Sequence, residues 1–220
     1  VKRIKPAAFS PYDLSRENYT RLLWAFEGMT SYYDDLALVR CGLLTPPQYL
    51  AALARTMTAV ERGSGRTKQS VAESSFDAWV KYYRQDENAP NAIVSYYAKG
   101  ALIALALDLT IRRATRGRKS LDDVMRALWQ DYGRNGHGVG ETDIEVLAER
   151  ISGVRLERFF ASALYSCADL PLAALLRDFG IKVTLRAAQS ASDRGGGMSE
   201  EREPSEPRAG LGAGTEGVGA

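Results

Sequence analysis

The 220 residues carry 29 Lys and Arg against 27 Asp and Glu, and 45% of them are hydrophobic. That balance suits a folded core and lacks the positive excess that a nucleic-acid backbone or an anionic bilayer surface would call for. The longest unbroken apolar run, 101–107, falls far short of the roughly 18 residues needed to cross a bilayer, which excludes a spanning helix of that kind.

Helical spacing first covers 19–38, as two helices or as one bent at Gly28, because a glycine costs a helix interior about 1 kcal/mol and eases a change of direction. Gly42 stops it. Thr45 followed by Pro46 is an N-cap with proline at the first helical position, opening a helix to about residue 61 before the loop R-G-S-G-R at 62–66. Another helix is expected over 74–83. The central helix is expected over 91–113 and is apolar nearly all round at 101–107, so it should be buried on most sides. Within it Asp108 and Arg112 form a structural i, i+4 pair.

Ser120 with Asp123, and Thr142 with Glu145, each place a capping side chain three residues before an acid, which predicts helix starts at Leu121 and Asp143. The basic stretch Arg112, Arg113, Arg116, Arg118, Lys119 has no interleaved aromatic residues and reads as a solvated helix end, not as a surface for bases. The only histidine, His137, lies in G-R-N-G-H-G-V-G at 133–140. This loop lacks the Lys-Ser/Thr ending of a phosphate loop and is expected to be a flexible connection with a solvated His137. Further helices are expected from about 155 and over 171–179, the latter stopped by Gly180, and 181–185 alternates as a strand. Cys41 and Cys167 form neither a disulfide framework nor a metal-ligand spacing. Residues 187–220 hold eight Gly and no aromatic residue and are expected to be a disordered tail or linker.

Two residues stand out chemically. In W-A-F-E-G-M-T-S-Y-Y (24–33) Glu27 is the only carboxylate or cation between 22 and 33, and burying it alone would cost several kcal/mol unless a metal ion or hydrogen-bonding neighbours offset its charge. In Y-A-K-G (97–100) the phenol of Tyr97 could donate to a developing oxyanion or simply be a core aromatic. Tyr96 points about 100° away round a helix, so one of the two tyrosines should face a site. Lys99 is expected to snorkel or pair locally.

Three stretches together resemble the catalytic domain of the glycyl-aminopeptidase family of gluzincin metallopeptidases, read from just after its H-E-x-x-H segment. V-K-R-I-K-P (1–6) with P-Y-D-L (11–14) is similar to the stretch following the metal helix, and W-A-F-E-G-M-T-S-Y-Y is similar to the third-ligand helix. N-A-I-V-S-Y-Y-A-K-G (91–100), A-L-D-L-T-I-R-R (106–113) and S-L-D-D-V-M-R-A-L-W (120–129) are similar to the helices that end the domain.

The resemblance implies a mostly α fold, the C-terminal helical half of a thermolysin-like catalytic domain over 1–186, followed by the disordered tail 187–220. It implies a zinc aminopeptidase that removes small N-terminal residues, Gly or Ala, with metal-activated water; Glu27 would be a zinc ligand and Tyr97 the catalytic oxyanion donor. The H-E-x-x-H histidines and their general-base Glu are missing, as are the upstream strand that holds the substrate's amino terminus and a PDZ-like module after 186. The expectation is therefore a fragment cut at both ends, with an incomplete Zn site and no activity alone. Its expected partners are a peptide substrate and the upstream part of the same domain, with neither nucleic acid nor membrane; the compartment, cytoplasm or periplasm, is left open. The alternative is a non-catalytic helical interaction or scaffold subdomain of an inactive homologue.

Overall fold

Local signals start most of the helices. The computed structural model describes residues 3–197, and among them the α-helices are α1 (Thr30–Arg40), α2 (Pro46–Arg62), α3 (Val71–Phe76), α4 (Ala89–Ala92), α5 (Ala98–Thr115), α6 (Leu121–Leu128), α7 (Asp143–Ser152), α8 (Glu157–Ala163) and α9 (Leu172–Arg177). Thr45 caps α2 reciprocally with Gln48, as its sequence predicts, with proline in the first turn. At the start of α6 the Asp123 carboxylate accepts the Ser120 N–H at 2.9 Å.

The mostly α character follows from α5. Because it is apolar on nearly every face, it can be stable only when surrounded, and it packs against α1, α2, α6, α9 and a π-helical turn at Trp24–Met29 that runs directly into α1. Ile103, Ala104, Ala106, Leu107 and Ile111 are all buried there. The one acid in this buried stretch, Asp108, is fully engaged. Its carboxylate accepts from Tyr32 Oη at 2.8 Å, Arg112 Nε at 2.9 Å and the Leu121 backbone N–H at 2.8 Å, tying α1, α5 and the first turn of α6 together.

Four expectations are corrected. The helix expected over 91–113 is broken, since α4 ends at Ala92, Ile93 is extended, and α5 starts only at Ala98. Partners distant in sequence hold this stretch open: Gln69 Oε1 accepts the Val94 N–H at 3.2 Å, and the Ser74 hydroxyl donates to the Val94 carbonyl. The helix expected over 74–83 begins earlier, at Val71, behind a Ser70–Glu73 capping box, and gives way to short 3₁₀ turns after Phe76. The α7 helix starts at Asp143 as expected, but Thr142 adopts a near-helical backbone with φ −115° and does not cap it; Asp143 accepts the Gly140 N–H instead, and Glu145 accepts the Tyr165 hydroxyl. Residues 181–185 form no strand among the described residues, because no segment there offers them a ladder of backbone partners.

The loop at 133–140 is anchored. Pro6 and Val139 form a β-bridge, with the Ala7 N–H donating to the Val139 carbonyl at 2.8 Å and the Val139 N–H donating to the Lys5 carbonyl at 2.9 Å. His137 is exposed, and Cys41 and Cys167 are free thiols. No helix among the described residues is long and apolar enough to cross a membrane. Of the tail expected at 187–220, residues 187–197 hold no helix or strand, while Gly195 and Gly196 lie against Thr58 and Ala51 of α2; residues 198–220 lie outside the described residues.

The Ser70 cap provides a direct check. Its side chain accepts the Glu73 N–H at 3.2 Å while Glu73 accepts the Ser70 N–H at 2.8 Å. Ser70→Ala is expected to cost about 1 kcal/mol, read as a lower denaturant midpoint with an unchanged slope.

Candidate active site

The π-helical turn carries the first candidate. A π turn packs an extra residue into its circumference and disturbs the regular carbonyl pattern, and such turns are frequent at functional sites. Here the Glu27 carbonyl is served by side chains of the following turn, Thr30 Oγ1 donating at 2.9 Å and Ser31 Oγ at 2.8 Å. The Glu27 carboxylate is half-buried and has no hydrogen-bond or ion-pair partner among the described residues.

Two glycines bring this turn to α5. A methyl carbon placed on Gly28 would lie 2.6 Å from the Cα and carbonyl carbon of Gly100, and one placed on Gly100 would lie 3.0 Å from the Cα of Gly28 and from the Trp24 carbonyl oxygen. The backbones therefore touch at the crossing. The Gly of E-G and the Gly of Y-A-K-G are each other's packing partners, which puts Glu27 and Tyr97 at one corner. Gly28 is thus a close-contact residue, and the chain continues through it as helix.

The 100° offset expected for a helix does not apply, because Tyr96 and Tyr97 both precede α5 and their ring centroids lie 4.8 Å apart; they differ instead in exposure. Tyr96 is 0% exposed; its ring packs 4.6 Å from that of Tyr82 and its hydroxyl donates to that of Tyr83 at 3.1 Å. Tyr97, at the N-cap of α5, is half-buried and lines a cavity. Burial pushes its phenol up to about 12, and the nearby Glu27 charge adds to that shift. The raised value keeps Tyr97 in its neutral, donating form at neutral pH. Lys99 does not snorkel. It is 1% exposed, its Nζ donates to the Ala168 carbonyl at 3.4 Å, and burial holds its ammonium below the usual lysine range.

Sequence reasoning missed the cavity of about 240 Å³ that Tyr97 lines together with Asp35, Tyr49 and Thr56. The available signal was spacing, for Glu27, Ser31 and Asp35 recur every four residues. No group of three or more His, Cys, Asp or Glu able to hold a metal ion occurs among the described residues.

A solitary carboxylate and a neutral phenol, joined at a glycine-to-glycine helix crossing, sit in a fold of the aminopeptidase class. The chain is similar to the crystal structure of an aminopeptidase N family protein from Idiomarina loihiensis, with a TM-score of 0.87 and 44% identity, over 90% of this chain and 34% of that one. It thus spans about a third of that protein's length. The M61 glycyl aminopeptidase family profile matches residues 1–103, a span that includes Glu27, Tyr97 and both crossing glycines. That match covers 103 of the chain's 220 residues. A comparison with curated proteins finds no match.

Proposed function

We propose that residues 1–186 are the helical part of the catalytic domain of a zinc aminopeptidase that removes small N-terminal residues such as Gly or Ala, and that 187–220 are a tail or linker. The observation that carries this reading is the Gly28–Gly100 crossing, which sets a carboxylate with no protein partner beside a neutral phenol. Zinc in peptidases is held by His nitrogens and Glu oxygens with one open position. Glu27 suits such a donor set, because both of its oxygens are uncommitted and its charge would otherwise stay unbalanced in a half-buried setting. When bound, zinc would supply activated water and polarise the scissile carbonyl.

The chain's own residues divide the remaining work. Glu27 would hold the metal at the helix crossing. Tyr97 would donate its hydroxyl to the oxyanion that develops on the scissile carbonyl, a role a phenol fills without ionising. Two His ligands and the general base would come from an upstream segment, since His137 is the only histidine here. The same dependence would leave this chain inactive by itself.

Elemental analysis tests the assignment. In the protein that also carries the H-E-x-x-H segment, Glu27→Gln replaces an anionic ligand by a neutral amide, and zinc retained per chain after dialysis against chelator is expected to fall at least about tenfold. The present chain alone should hold no stoichiometric zinc. Undiminished zinc in Glu27→Gln would remove Glu27 from the metal site and favour a non-catalytic helical scaffold.

A further inference from the structure

The cavity beside Tyr97 has a direction. Glu27, Ser31 and Asp35 lie four residues apart along the π turn and α1, while Tyr97, Ala101 and Leu105 lie four apart along α5. Glu27 and Tyr97 meet at the Gly28–Gly100 crossing, so the two rows run side by side away from it. Eight helical residues advance about 12 Å, which sets Asp35 near the far end of the trough. Ala101 of α5 and Tyr49 and Thr56 of α2 also line it.

The trough has one sign of charge. Asp35 is half-buried, and its carboxylate has no hydrogen-bond or ion-pair partner among the described residues. The residues lining the cavity include no Lys or Arg. Tyr49 lies close enough for the Asp35 charge to add to the effect of burial, which pushes its phenol up to about 12. A half-buried carboxylate at the end of a largely apolar channel is a recognition element for a long side chain with a cationic tip, because the stem fills the channel and the tip finds its counter-charge.

We infer that this trough receives the substrate residue that follows the scissile bond, and that Asp35 selects Lys or Arg there. The inference rests on the aminopeptidase reading above. If the residue removed is Gly or Ala, its side chain is far too small for a cavity of about 240 Å³. The long side chain must then belong to the leaving-group side, whose backbone departs from the carbonyl that Tyr97 addresses.

The test compares peptide amides of one length, Gly-Lys-NH₂, Gly-Leu-NH₂ and Gly-Glu-NH₂, as substrates of the zinc-loaded protein carrying the complete catalytic domain. The kcat/KM for Gly-Lys-NH₂ is expected to exceed that for Gly-Glu-NH₂ by roughly 10- to 100-fold. Asp35→Asn should bring the ratio toward one, and Asp35→Lys should reverse it. Should Gly-Leu-NH₂ be cleaved while the Lys-to-Glu ratio is near one in the wild type, or is unmoved by both variants, the inference is overturned and the aminopeptidase reading stands. Failure of the zinc-loaded protein to cleave any of the three overturns both.

Discussion

Gly28→Ala should destabilise the protein by about 3 kcal/mol, near the upper end for overpacking. Two effects oppose each other. Replacing glycine by alanine in a helix favours folding by about 1 kcal/mol through backbone entropy. Against that, the new methyl carbon would lie 2.6 Å from two backbone atoms of Gly100 and 3.0 Å from the Tyr96 carbonyl oxygen. Backbone inside α5 cannot rotate aside as a side-chain tip could, so the whole crossing must open. The steric term therefore wins. Gly63→Ala is the control, because its added carbon meets nothing closer than 3.4 Å and its backbone is unstrained. Urea unfolding of both variants should show a large drop in midpoint for Gly28→Ala and a change below about 1 kcal/mol for Gly63→Ala. Equal effects would mean that the crossing is not tight. On the aminopeptidase reading proposed above, the same opening would separate Glu27 from Tyr97, and a misplacement on the order of 1 Å costs roughly 10²-fold in rate.

On the aminopeptidase reading proposed above, Tyr97→Phe in the protein carrying the complete catalytic domain should lower kcat by roughly 10²–10³ and leave zinc content unchanged, the loss typical of one oxyanion donor. The neighbouring variant discriminates. Tyr96→Phe removes a hydroxyl whose partner, Tyr83, is 61% exposed and can turn to water, so its effect should be about 1 kcal/mol of stability or less, with little change in kcat. In this chain by itself, burial raises the Tyr97 pKa, so its phenol stays protonated through the neutral range. A larger kcat effect from Tyr96→Phe would move the donor role to that residue; no effect from either would make both core aromatics.

What the sequence determined by itself is what depends on neighbours along the chain. The Thr45–Pro46 start of α2, the burial of α5, the Asp108–Arg112 pair and the Ser120–Asp123 bond all follow from spacings of one to four residues, and all are present. Glu27 and Tyr97 were legible as candidates because short motifs mark them, E-G and Y-A-K-G. Tertiary structure decided whatever required partners far apart in sequence. Gln69 and Ser74 take the backbone groups of Val94 and hold open the stretch ahead of α5, which periodicity alone would continue as helix. Glu145 accepts the Tyr165 hydroxyl and α7 has no side-chain cap from Thr142, and 181–185 finds no strand partner among the described residues. The two glycines read separately as a bend and a motif end, yet only their mutual contact explains why Glu27 and Tyr97 share a corner. Asp35 gained significance in the same way, because a trough between α1, α2 and α5 exists only once three helices have packed, which no local pattern encodes.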